Sequence, residues 1–446
     1  MEISENRFTG LFKRAFISLS IIIFFISFNI KDTPPPFGWY QQFLPTPLGG
    51  SIKDIYFVDS LLGFAVSDSC ILKTTNGGDN WNIKFYSSFF TRIKFLNNNT
   101  GFASDAFNLH KTTNSGENWS TMAFPGDLMA MDMSVLNEDT IWICNTVSLT
   151  GGVFRTTNGG LNWTQQYSNG TENPNKIYMF NARIGFICNT ANASGIKRTT
   201  NGGVNWSMVT PNEGFKDLYF ADSLTGWRAN DYIKKTTDGG LTWVQQQLPQ
   251  GIPGHNIVWG IRSISKISRD TIWGCYPTVV FPNLRYKGIL YRTTNGGTNW
   301  YYQIPDTAFN IPVYSFINFI NNKTGWAYNI VASGIHTINS GDTTFFYTGI
   351  IQKSTKIPNQ FVLKQNYPNP FNPRTVIGYE LKKAGDIKIK VYSITGSEVF
   401  TLVNQRQTAG VYEVDMPGIG LSSGVYFYSL FVDNKRVDSK SMVLIK

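Results

Sequence analysis

Histidine occurs three times in 446 residues and cysteine four times, and neither is clustered. His110, His255 and His336 lie far apart and no CxxC pair is present. A zinc or other metal site is therefore not expected, and nothing calls for a cofactor. Charged side chains are sparse, and no long stretch carries apolar residues at helical spacing. Short aromatic and β-branched runs between Gly- and Asn-rich turns argue for an all-β chain. Long apolar runs are lacking too: beyond residues 15–28, no segment is suited to crossing a membrane as a helix.

The net charge of +10 is uneven, with +3 over residues 37–350 and +6 over 351–446. A near-neutral central region gives no sign of the concentrated basic face that nucleic-acid binding needs. Residues 1–30 read as an export signal, because Lys13 and Arg14 precede the short apolar run. Residues 31–38 form a Pro-rich linker. Cys144, Cys188 and Cys275 each follow an aromatic residue by two positions, at equivalent places in a repeat. Equivalent places in neighbouring repeats are too distant for a disulfide, so these are expected to be small buried residues.

What the chain has in abundance is the string KTTNGGDNW, residues 73–81, and its copies at 111–119, 155–163, 198–206, 235–243 and 292–300, with a worn copy at 336–345. Successive box tryptophans fall 38, 44, 43, 37 and 57 residues apart, a period of about 40 that marks a repeat architecture. Before each box stands an aromatic strand, a polar turn and Gly-Phe or Gly-Trp, as in YFVDSLLGF (56–64) and YFADSLTGW (219–227). Two copies, ending in TIW at 142 and 273, lack the Gly. Four short strands per repeat make one propeller blade, and seven repeats over residues 39–350 predict a seven-bladed β-propeller. Residues 39–45, WYQQFLP, are similar to WVQQQLP at 243–249 yet no repeat precedes them. They are expected to supply the last blade's fourth strand and so latch the ring.

The box fits [ST]-x-[DN]-x-G-x-x-W and resembles the Asp-box, or BNR, repeat. Its structural residues are Asn76 and Trp81, Asn114 and Trp119, Asn158 and Trp163, Asn201 and Trp206, Asp238 and Trp243, and Asn295 and Trp300. The Asn or Asp side chain can hold a tight turn, and the Trp can anchor it by burying its ring. The paired form looks most like the photosystem II assembly-factor branch of these propellers, a resemblance that implies a binding scaffold rather than an enzyme. Sialidases and endoglucanases share the box. The [FY]RIP signature of sialidases is missing, the nearest string being QIP at 303–305. An endoglucanase-like site needs only two facing carboxylates, for which Asp105, Asp127, Asp231 and Asp306 lie near suitable loops.

If the boxes occupy one face, the opposite face carries two long aromatic loops, 248–262 and 276–288. Trp259, Arg262, Arg285 and Tyr286 are the candidate ligand-binding residues there, offering stacking and hydrogen bonds to a sugar or peptide. No catalytic residue is assigned. The expected function is non-catalytic binding of a glycan or protein, with a secreted glycoside hydrolase and a structural or adhesive surface component as alternatives.

Residues 351–446 change character to short alternating strands, which suit a small Ig-like β-sandwich. NYPNPFNP (366–373), VYSITGSEV (391–399), LSSGVYFYSL (421–430) and the terminal SKSMVLIK resemble a type A C-terminal sorting domain of the type IX secretion system. The motif residues are Asn366, Pro368, Asn369, Pro370, Gly396, Gly424 and Tyr426. The resemblance implies that residues 358–446 engage the type IX machinery. It also implies that the protein reaches the cell surface or the medium, meeting a membrane only during export or attachment.

Overall fold

The computed structural model describes residues 38–45, 50–124, 130–145, 151–168, 174–190, 195–249, 256–280, 286–305, 309–341, 346–347, 350–372, 374–418 and 421–445. The signal and linker segments lie outside them. Each repeat folds into an antiparallel sheet. The first comprises Ile52–Phe57, Gly63–Ser67, Cys70–Thr74 and Asn82–Tyr86, in that order across the sheet. Seven such sheets follow one another among the described residues up to 347. In the first blade the two middle strands are wholly buried, because the blade is covered on both faces by its neighbours, whereas its fourth strand lies open at the rim. All four cysteines are buried and free.

The Gly-Phe and Gly-Trp motifs acquire a reason from strand register. The last residue of each first strand lies opposite the first residue of the second: Phe57 faces Gly63, Phe95 faces Gly101, Phe220 faces Gly226 and Phe319 faces Gly325. A Cβ on Gly101 would lie 2.6 Å from the Phe95 ring, and one on Gly325 would lie 2.3 Å from Phe319. In the two repeats without the glycine the opposing residue is not aromatic: Val135 faces Ile141 and Lys266 faces Ile272. The glycine therefore makes room for the large side chain opposite it, a ring in four blades and Met179, which faces Gly185, in the fourth. The next residue, the motif's aromatic, stacks on the first-strand ring of the following blade. Phe64 stacks on Phe95 at 3.9 Å, Phe186 on Phe220 at 5.0 Å and Trp273 on Phe319 at 4.3 Å.

The ring closes through the same contact, Trp326 of the seventh blade stacking on Phe57 of the first at 3.7 Å. Tyr40–Phe43 pairs antiparallel with Ser333–Thr337, filling the fourth place of the seventh blade as the orphan strand requires. Displaced from that place, the chain after the worn box adds Phe346–Tyr347 to the outer edge of the sixth blade. Gln42 then ties the seam, donating to Gly77 O at 3.0 Å and accepting from the Tyr328 hydroxyl at 2.8 Å.

Beyond residue 350 the chain forms two four-stranded antiparallel sheets around one core that includes Ile377, Tyr379, Ile389, Val391, Tyr428 and Leu430. The strand Arg374–Leu381 alternates buried and half-buried side chains as a sheet with one covered face does. Ile350–Ser354 already belongs to these sheets, slightly before the compositional change at 351. Asn366 is buried, its amide donating to Pro368 O and Thr375 Oγ1 while its backbone N–H donates to the Tyr428 hydroxyl. Asn369 Oδ1 accepts from Val443 N–H at 2.9 Å, and the Tyr426 hydroxyl donates to Ser422 O at 2.9 Å. Gly396 has φ +79°, a turn conformation that favours glycine. Motif residues scattered over 60 positions thus converge on one end of this fold.

Candidate functional site

The boxes are closed on themselves. In the first, Thr74 Oγ1 donates to Asn76 Oδ1 at 2.9 Å and accepts from Gly78 N–H at 2.9 Å, while Asn76 Oδ1 accepts from Asn80 N–H at 2.9 Å. The other five clean copies repeat this net, for example through Thr112, Asn114, Gly116 and Asn118. The first Gly N–H bonds the turn between strands one and two, Gly77 N donating to Leu61 O at 2.9 Å, so both turns share one face. The first Thr of each pair, absent from the expected set, is central to the net. Both glycine positions have positive φ, and Ser115 adopts φ +58° where it replaces the first. The expected ring burial needs correction: all six box tryptophans precede a rim strand, yet Trp81 and Trp300 are buried while Trp119, Trp163, Trp206 and Trp243 are half-buried. The deepest indoles are Trp39, Trp142, Trp227, Trp273 and Trp326.

The first strands face the ring axis, and at one level they carry Asp54, Arg92, Asp132, Lys176 and Asp217 from five successive blades, alternating in sign. Arg92 pairs with Asp132, and Lys176 lies 3.8 Å from it. The three carboxylates also accept backbone N–H groups from the following blade: Ile93 to Asp54, Ile177 to Asp132 and Ile264 to Asp217. They stitch three of the seams. Burial raises Asp54 despite Arg92 nearby, and opposes ionisation of Asp132 as well, but Arg92 and Lys176 hold the latter below the ordinary carboxylate range. Asp217 is pushed up to about 6 by burial, only partly offset by the Ile264 N–H, Lys176 and Arg92. A raised acid stabilises the fold below its unfolded pKa and loses that contribution as pH rises through about 6. Asp217→Asn is therefore expected to flatten the thermal-stability profile between pH 4 and 7, measured by calorimetry at matched ionic strength. An unchanged slope would refute the assignment. These residues occupy one column of the repeat, a signal available in the sequence but not taken up there.

The long loops of the opposite face form a sheet of their own: Asn256–Val258, Thr278–Val280 and Tyr286–Gly288. It is held to the segment before the seventh blade by Thr278 Oγ1 donating to Pro312 O and Gly288 N–H to Ile311 O. The Arg262 guanidinium lies 4.1 Å from the centre of the Tyr276 ring and donates to Asp231 Oδ1 at 2.6 Å. Trp259 packs beside Tyr276, their ring centres 6.1 Å apart, and is 55% exposed. Asp231, Trp259 and Tyr276 have φ of +62°, +62° and +106°, conformations that cost side-chain-bearing residues free energy and gather at ligand clamps. Tyr286 is exposed but sits at the other end of the small sheet, opposite Val280, while Trp259 follows the end where Val258 faces Thr278. Arg285 lies outside the described residues. The candidate set is thus Trp259 and Arg262 joined by Tyr276 and Asp231, with Tyr286 apart.

Of the four carboxylates considered for hydrolysis, Asp127 and Asp306 lie outside the described residues. Asp105 is not a solvated loop residue. It is buried, and although burial opposes ionisation, bonds from His110, Ser87 and the Phe107 N–H hold it at about 2. Asp231 is engaged by Arg262. Between the fourth and fifth blades lies a cavity of about 230 Å³, lined by Asn189, Asn212, Glu213, Arg228, Asn230, Tyr232 and Lys234 among others. No group of His, Cys, Asp and Glu among the described residues is arranged to hold a metal ion.

Comparisons agree with this architecture. Residues 37–204 match the family described as photosynthesis system II assembly factor YCF48, and residues 365–445 match the secretion system C-terminal sorting domain. No curated protein matches the chain. Among solved structures, YCF48 bound to D1 peptide is 17% identical, covering 68% of this chain and 97% of its own, with a TM-score of 0.52. YCF48 from Cyanidioschyzon merolae is 16% identical, covering 67% and 98%, with a TM-score of 0.49. The GH74 xyloglucanase from Xanthomonas campestris is 10% identical, covering 91% and 68%, with a TM-score of 0.51. At these identities the likeness is one of fold. The sorting domain implies export by type IX secretion to the cell surface or the extracellular space.

Proposed function

We propose that this YCF48-like propeller is a secreted or surface-displayed binding protein, delivered by its C-terminal sorting domain after an N-terminal export signal. It holds a glycan or protein ligand on the face opposite the boxes. The observation that carries this reading is the constellation of Trp259, Tyr276 and Arg262, where an exposed indole and a ring-stacked guanidinium are raised on an added sheet. Aromatic and Arg side chains supply most of the binding energy at such surfaces. The carboxylates nearby support binding over hydrolysis, since Glu213 and Asp231 are both committed to cations. A YCF48 structure holding a peptide supports a binding role for the fold.

The test is a screen of the full-length chain against glycan and peptide libraries, with hydrolysis followed in parallel. Trp259→Ala is expected to weaken the retained ligand at least tenfold with an unchanged thermal transition. Turnover of any glycan, or a Trp259→Ala variant that binds as the parent does, would overturn the reading.

A further inference from the structure

The cavity between the fourth and fifth blades was not foreseen from the sequence and has a distinct chemistry. Asn189 follows the second strand of the fourth blade, Asn212 and Glu213 lie on the connection into the fifth blade, and Asn230 and Tyr232 lie on that blade's turn between strands two and three. These segments belong to the face opposite the boxes. No aliphatic side chain lines the cavity. An apolar ligand would desolvate amides and charges there without replacing their hydrogen bonds, which costs free energy.

Its floor is an ion cluster. Arg228 is 3% exposed; it donates to Gly214 O at 2.8 Å and to Glu213, and its guanidinium lies 5.3 Å from the Trp243 ring centre. Lys234 Nζ lies 2.8 and 2.9 Å from the two Glu213 oxygens. Burial opposes ionisation of Glu213, but its bonds to Lys234 and Arg228 outweigh that and keep it charged. Two cations against one carboxylate leave one net positive charge. Arg228 Nε is buried without a hydrogen-bond partner, a donor in surplus. The side-chain amides of Asn212 and Asn230 make no hydrogen bond among the described residues. At the rim Tyr232 is 58% exposed, an aromatic face at the mouth of a polar cavity.

We propose that this cavity takes one sugar residue of an acidic glycan, such as a uronic-acid unit. Each sugar hydroxyl both donates and accepts. It is matched by a site where a carboxylate, an ammonium and amides stand side by side. The ring's C–H face suits Tyr232, and the net positive charge selects a carboxylate-bearing sugar over its neutral counterpart. A volume of about 230 Å³ has room for one such unit rather than a longer segment, so the remainder of the chain would run outward. The nearby Arg262, paired to Asp231 next to Tyr232, lies on one such route. This assignment rests on the binding role proposed for this face and adds the ligand class and a second contact region.

The experiment is calorimetric titration of the full-length chain with four probes: oligogalacturonate, the matched neutral galactose oligomer, a polyglutamate peptide of equal charge, and free galacturonate. Oligogalacturonate is expected to bind at least tenfold more tightly than the neutral oligomer, and Tyr232→Ala and Lys234→Gln each to weaken it at least tenfold, Tyr232→Ala without shifting the thermal transition. Equal binding of neutral and acidic oligomers would overturn the assignment, as would binding of polyglutamate alone. If oligogalacturonate binding is lost in Trp259→Ala but kept in both cavity variants, the ligand sits on the sixth blade; the cavity assignment then fails while the binding role of the face stands. Absence of binding by every probe would overturn the cavity assignment, and the library screen above decides the broader role separately. Should Lys234→Gln fail to fold, Tyr232→Ala, which alters an exposed side chain, decides alone.

Discussion

Trp39→Ala is expected to destabilise the propeller by about 3–5 kcal/mol, the range for removing a fully buried indole. Trp39 has no exposed surface, although it precedes the first strand and belongs to no repeat. Its Nε1–H donates to Gln303 Oε1 at 3.1 Å, and its ring meets Trp273 at 6.2 Å and Phe319 at 6.1 Å, both edge-to-face. The substitution leaves a cavity and an unpaired Gln303 oxygen at the junction of the sixth and seventh blades. It also loosens the latch, because among the described residues Tyr40–Phe43 is the strand that covers the outer edge of Ser333–Thr337. Hydrogen exchange should accelerate first in Ser333–Thr337 and Gly325–Tyr328, while the second to fifth blades keep their protection. Uniform loss of protection around the ring, or none, would argue against a latch.

Gly101→Ile is expected to cost at least the 1–3 kcal/mol typical of overpacking. A side chain there would meet Phe95, whose ring cannot withdraw because it stacks on Phe64 and lies edge-on to Trp119. Phe95→Val alone should also destabilise, by removing those contacts. The double variant recreates the pairing found in the third blade, where Val135 faces Ile141. It is expected to be no less stable than Phe95→Val, so the two changes would be non-additive by more than 1 kcal/mol in a double-mutant cycle. Additivity in denaturant unfolding would mean the glycine serves some purpose other than making room for the ring.

The four strands of each repeat were legible, because turn residues and aromatic alternation recur about every 40 positions and each copy confirms the others. The latch was legible for a related reason: WYQQFLP had a counterpart in a repeat but none of its own. Reasoning from residue type failed where a partner came from elsewhere in the chain. Asp105 read as a loop carboxylate until folding brought His110 and Ser87 onto it. Trp259 and Tyr286 read as one site because their loops were treated as shapeless, whereas a sheet holds them at opposite ends.

Local pattern thus decided the repeat, the strand order, the box turns and the export tail, since each depends on residues near one another in the chain. Periodicity could not decide which side chains meet across blades. The contacts of Arg92 and Lys176 with Asp132, the stacking of Phe64 on Phe95 and the cavity over Glu213 arise from pairings between blades. Those contacts are set by how the ring closes, and only the closed ring contains them.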